Sequence, residues 1–227
     1  NNCKIEDEIL YKDKGFDEFC KKCFVVGNLY NNHMVLQRQY DFIWCILAKA
    51  FLIKIDRSCK NKFDILLEFC LNDLKCAMHQ ELYLLALYFK NDPSIGRVFA
   101  KLSKDYNKGI EYALENTTWD LFHSRMTFEH TRFYDTVENI VILPYFATND
   151  KGVYQYLSKC LFKAVIIDHG KMIPVYRSSI ELSSYIMNES LQFQLYDEEH
   201  IMKRKVDVTQ VNINLIKSKL LQELKTI

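Results

Sequence analysis

The sequence is poor in the residues that interrupt regular structure. Its 227 residues include only 6 glycines and 3 prolines, roughly a third of average usage. That scarcity excludes collagen-like and low-complexity architectures and favours long, unbroken helices. An excess of one charge is missing too. With 30 basic and 29 acidic residues, for a net charge of +1, no whole-molecule field draws in nucleic acid or an anionic membrane, so either must be bound locally. No apolar run reaches the roughly 20 residues of a membrane span, because the longest, residues 42 to 55, is interrupted by Lys49 and Lys54. Glycine-rich phosphate loops and a nucleophile elbow are also absent, which argues against nucleotide-dependent and hydrolase-triad enzymes.

What remains is enough for a core. A chain that is 49% hydrophobic and 14% aromatic buries one domain spanning residues 1 to 227. Its 8 cysteines read as buried small hydrophobes and surface thiols instead of a disulfide framework, since a chain of this size needs no staples. That points to a reducing, cytoplasmic setting. Cys20 and Cys23 have zinc-ligand spacing, but a structural site wants a second pair, for which only His33 and Cys3 are near in sequence. The chain opens at Asn1 instead of Met, as expected of a trimmed chain or one that begins inside a longer protein.

Periodicity predicts short amphipathic helices over residues 5 to 23. Residues 34 to 55 read either as one long helix or as a strand followed by a helix. Helices follow over 64 to 76, 78 to 89, 94 to 102 and 106 to 130, with Asp92 or Ser94 offering a cap. At Glu138 the texture changes. Residues 140 to 147 form a β-branched, nearly continuous apolar run, residues 153 to 158 a short helix, and residues 161 to 168 a second apolar run. Strand, short helix and strand predict a βαβ unit with parallel strands. A helix over 179 to 195, a charged connector over 197 to 205 and an amphipathic helix over 211 to 224 complete the chain.

In open parallel sheets ligands bind beyond the carboxyl ends of the strands, which directs attention to Thr148, Asn149 and Asp150. An Asp delivered there by a rigid strand suits a metal ligand or general base; as a plain turn residue it would cap the following helix. Asp120 lies on the preceding helix among the apolar residues Trp119, Leu121 and Phe122. A semi-buried carboxylate in such a place needs a partner or a cation.

A helix with a lone inward Asp, then a strand ending in Thr148-Asn149-Asp150, a short helix and another strand resembles the second half of the PIN-domain nucleases, over about residues 110 to 170. The resemblance implies a three-layer αβα fold with a parallel central sheet, here with extra helices at both ends. It also implies a metal-dependent endoribonuclease in which Mg²⁺ or Mn²⁺ is held by a carboxylate cluster, as in a toxin or defence effector. Asp120 and Asp150 match the family's helical and strand-end acids, and Glu81 its other helical acid. The first-strand Asp would be Asp41, with Asp56 and a residue upstream of Asn1 as alternatives. Clustered carboxylates of this kind are stabilised by hard divalent cations, which activate water for phosphodiester hydrolysis. Thr148, Asn149, Arg125 and Lys151 would contact RNA.

Two other readings stand beside it. Arg125 and His130, with four residues between them, resemble the motif of the HEPN ribonucleases, metal-free helical dimers that act with His and Arg. The chain also suits a non-catalytic protein-binding module or a subunit of a larger complex, with an inhibitor or other protein partner, since aromatics enrich interfaces. Convergence of the four carboxylates would favour the PIN reading; their dispersal would favour the binding module.

Overall fold

Helix α1, His33–Ile55, runs without a break, and its composition explains both its length and its place. Ile43, Cys45, Ile46, Leu47, Ala48 and Ala50 are all 0% exposed, so apolar residues surround this stretch on every side, as in a central helix of a core. The long-helix alternative for this segment is therefore the one realised. The structure is a computed structural model, and it describes residues 33–103, 108–130, 134–135, 140–141, 150–160, 162–168, 171–176 and 181–226. Residues from Tyr40 onward make one compact unit.

Lysines fasten the ends of the first helices. Lys62, at the start of α2 (Lys62–Asn72), donates from Nζ to the carbonyls of Ile53, Lys54 and Asp56 at 2.8, 2.8 and 2.6 Å. Lys54 in turn donates to Tyr88 O at 2.7 Å and Asn91 Oδ1 at 2.6 Å, at the end of α3 (His79–Phe89). A cation there satisfies orphan carbonyls and opposes the negative end of the helix dipole. Between α2 and α3 the chain turns through Lys75 at φ 52°, so Cys76 lies outside the helix expected over 64 to 76. The helix expected over 94 to 102 is also shorter: Asp92 caps a single 3-10 turn, Pro93–Ile95. Helix α4, Ile110–His130, follows.

The expected three-layer αβα architecture with a parallel sheet is not formed. The fold is helical, and the strands among the described residues make two small antiparallel pairs. Strand β1 (Tyr134–Asp135) pairs with β2 (Ile140–Val141). After α5 (Lys151–Lys159), β3 (Phe162–Asp168) pairs antiparallel with β4 (Lys171–Tyr176). The apolar run at 162 to 168 is thus a strand, but its neighbour is the next segment and not the earlier run. Only two residues separate β3 from β4, and so short a connection can join only antiparallel strands, whereas a parallel pair needs a crossover of a dozen or more residues. Strand β4 contains Pro174, opposite Val165; a two-stranded ribbon has open edges where proline is tolerated. Most of the run expected as the first strand, residues 142 to 147, lies outside the described residues.

The C-terminal region is built from caps. The helix expected over 179 to 195 is split into a 3-10 turn, Leu182–Tyr185, and α6, Glu189–Tyr196. The Met187 N–H donates to Asp64 Oδ1 of α2 at 3.1 Å, and Asn188 restarts the helix by accepting from Ser190 and Leu191. The expected charged connector is helix α7, Glu198–Asp207, capped by Asp197, with Glu198 and Glu199 in its first turn and Arg204 and Lys205 in its last. Those charges suit the helix dipole. Helix α8, Ile213–Lys225, buries Ile213, Leu220 and Leu224. Among the described residues no helix is long and apolar enough to cross a membrane.

Candidate functional site

The four acids proposed as a metal cluster have separate fates. Glu81, on α3, is 1% exposed and accepts from Arg125 Nη1 of α4 at 2.9 and 3.2 Å through its two carboxylate oxygens. Asp41, on α1 and 6% exposed, accepts from Lys217 Nζ of α8 at 2.7 Å. The Lys217 ammonium also lies 5.2 Å from the Trp44 ring centroid, a second favourable partner for its charge. Each of these buried carboxylates therefore has a fixed cation from another helix, which offsets its desolvation.

Asp120 and Asp150 do come together. They line one cleft with Arg97, Lys101, Ser124 and Tyr156. Asp120 is half-buried on α4, and burial first, then the nearby Asp150 charge, raises its carboxyl above the usual range, against the opposing pull of Lys101 and His123. Asp150 precedes α5 and accepts from Gly152 N at 2.6 Å and Val153 N at 3.1 Å. It is the helix cap that its turn position allowed. Gly152 suits this corner because a Cβ there would sit 3.0 Å from Asp150 Oδ1 and 3.1 Å from Arg97 O, so that a neighbour would have to shift to admit a side chain.

The donor set does not suit the Mg²⁺ or Mn²⁺ that the resemblance implied. Two of its four carboxylates are already neutralised elsewhere, and among the described residues no group of three or more His, Cys, Asp or Glu is arranged to hold a metal ion. Asp56, the competitor of Asp41, accepts from Ser58 N at 2.8 Å, Ser58 Oγ at 2.7 Å and Cys59 Sγ at 3.2 Å in a surface turn, which hold its carboxyl down at about 2. Lys151 is exposed at the start of α5. Thr148, Asn149, Cys3, Cys20 and Cys23 lie outside the described residues. Arg125 and His130 share α4, and Arg125 is engaged by Glu81; the His130 side chain is not among those described.

Sequence reasoning missed the polar layer around the Arg125 and Glu81 pair. Tyr156 Oη donates to Gln80 Oε1 at 3.4 Å, and Gln80 and Tyr156 are both buried. Burial chiefly, with Cys160 and Glu81 nearby, keeps the Tyr156 phenol well above its usual range. His79 is shifted down by burial and by the charges of Arg204 and Arg125. The available signal was the pair of polar residues Gln80-Glu81 inside an otherwise apolar helix, since buried polar groups demand partners. The chain matches no protein-family model, no curated protein and no solved structure.

Proposed function

We propose that the chain acts as a non-catalytic, helical protein-interaction module. The observation that carries this reading is helix α7, Glu198–Asp207, which has no buried residue yet exposes Met202 at 55% and Val206 at 61%. These side chains are four residues apart on one face. Phe193 of α6, 61% exposed, stacks edge-on against His200 of α7 with ring centroids 5.4 Å apart. Isolated surface hydrophobics are ordinary, but several on adjoining helices are characteristic of contact surfaces. Lys205 Nζ lies 3.8 Å from Met202 Sδ, so a partner segment with apolar anchors and an acidic residue facing Lys205 fits this face. The dispersal of Asp41 and Glu81 into ion pairs supports the same reading. A photo-crosslinker installed at Lys203 tests it in an extract of the source cells. A single protein captured by the otherwise native chain, and lost from the Met202→Asp, Val206→Asp double variant, is expected. Capture indifferent to those substitutions would overturn it.

A second reading retains RNA hydrolysis, confined to the cleft where Asp120 and Asp150 meet Arg97 and Lys101. Opposite charges lining one cleft favour it, since cations there would contact phosphates. Incubation with single-stranded RNA and Mn²⁺ decides between the readings. Cleavage by the native chain and not by Asp150→Asn supports hydrolysis; no cleavage by either leaves the interaction module alone.

A further inference from the structure

Two cysteines, Cys70 and Cys76, flank the exit from α2 toward α3. Cys45 on α1 and Cys70 on α2 are each 0% exposed, Cys76 in the connector is partly exposed, and all three are thiols in this structure. The connector brings Cys76 back to Cys70: its N–H donates to the Cys70 carbonyl at 3.0 Å, immediately after the left-handed Lys75 at φ 52°. A backbone hydrogen bond of that length brings the two Cα atoms close enough for the ~4.4 to 6.8 Å window that a disulfide spans. The Cys70 thiol is held well above its usual range first by complete burial and then by the charges of Cys76 and Cys45. Among the described residues no such group is arranged to hold a metal ion.

The surroundings distinguish the two partners. Cys76 has solvent access and the Arg204 guanidinium close by, close enough for the two groups to interact electrostatically. Arg204 hydrogen-bonds to the neutral carbonyls of Gln194 and Leu195 at the end of α6. Its charge is thus shared with no carboxylate among the described residues, and a partly exposed thiol beside such a cation is the arrangement that makes cysteine reactive. Cys70, sealed in the core, is the partner that waits.

We infer that Cys76 and Cys70 form a reversible redox pair, in which a hydroperoxide oxidises Cys76 and Cys70 resolves it to an intramolecular disulfide. In the first step the Cys76 thiolate attacks one peroxide oxygen. An S–O bond forms, the O–O bond breaks, and the departing alkoxide or hydroxide takes up a proton, leaving a sulfenic acid. In the second, the Cys70 sulfur attacks the Cys76 sulfur. The S–S bond forms, the S–O bond breaks, and the Cys70 proton leaves with the hydroxide as water. Overall two thiols and one hydroperoxide give a disulfide, an alcohol or water, and a water; sulfur is oxidised and peroxide oxygen reduced. The bridge would close the short turn between α2 and α3 and fix the approach to His79 and Glu81.

Peptide mapping of the full chain by mass spectrometry tests this, after hydrogen peroxide treatment, acid quenching and alkylation under denaturing conditions. The expected result is a peptide cross-linked between Cys70 and Cys76, with loss of both alkylatable thiols and their full return on treatment with dithiothreitol. Cys70→Ala, checked for native helicity by circular dichroism, should instead carry Cys76 on to sulfinic acid. The inference is overturned by oxidised Cys76 beside alkylatable Cys70 in the native chain, by a bridge from Cys76 to Cys45, or by both thiols surviving a peroxide excess. The native-chain mapping stands whether or not the variant folds, and mapping separates these sites from Cys3, Cys20 and Cys23.

Discussion

Arg125 Nη1 of α4 lies 2.9 Å from Glu81 Oε2 of α3, and that glutamate is 1% exposed. The pair bridges two helices of the core, with the Arg125 side chain 19% exposed. Breaking one side of a buried pair leaves a charge without compensation, which costs about 3 to 5 kcal/mol. Arg125→Met and Glu81→Leu should each lose that much in urea unfolding. The double variant should recover much of the loss, because no stranded charge remains. Additive losses would show that the two side chains act independently.

Asp150 distinguishes capping from metal or substrate chemistry. Asparagine caps helices about as well as aspartate, so Asp150→Asn should leave stability near native, while Asp150→Ala should cost about 1 kcal/mol. Thermal unfolding of both variants checks this, and equal losses would remove the capping role.

For Asp120 the sign of the pH dependence is fixed by its upward shift. A carboxyl whose folded pKa exceeds the unfolded value binds more protons in the folded state throughout the interval between the two, so stability falls as pH rises from 3.8 through the folded value. Asp120→Asn removes this penalty. The variant should melt above the native chain at pH 7, and the gap should close as pH is lowered toward 4. A gap that widens on acidification would contradict the assignment.

Thr117 Oγ1 is buried on α4 with no hydrogen-bond partner among the described residues. A sealed, unsatisfied hydroxyl costs free energy, and valine has nearly the same shape. Thr117→Val should therefore stabilise the chain by about 1 kcal/mol, read as a higher urea midpoint at unchanged slope.

Elements with an apolar signature were legible in the sequence. The helices at α3, α4 and α8 and the short helix at α5 were legible, the segment of α1 was open between one long helix and a strand followed by a helix, and the apolar run at β3 was rightly read as extended. Partnership was not legible, because a run of Val and Ile does not state whether its neighbour precedes or follows it; the two-residue gap before β4 held that information, and Pro174 obscured it. Helix α7 buries none of its apolar residues, so its evidence lay in Asp197 and the ordering of its charges. In the candidate site, Asp120 and Asp150 line one cleft. The ion pairs of Glu81 and Asp41 were not legible, since the cations that claim them, Arg125 and Lys217, lie 44 and 176 residues away along the chain.

Helix α7 is anchored by its cap at Asp197 and by Arg204, whose guanidinium reaches back to the Gln194 and Leu195 carbonyls, and it buries no residue of its own. Its opening therefore exposes little apolar surface, while opening α1 would uncover the most deeply buried side chains of the core. The two helices should therefore open separately, α7 by local fluctuation and α1 with the core. Amide protons of α7 should exchange with solvent through local excursions that urea barely promotes, while those of α1 exchange only when the whole unit unfolds.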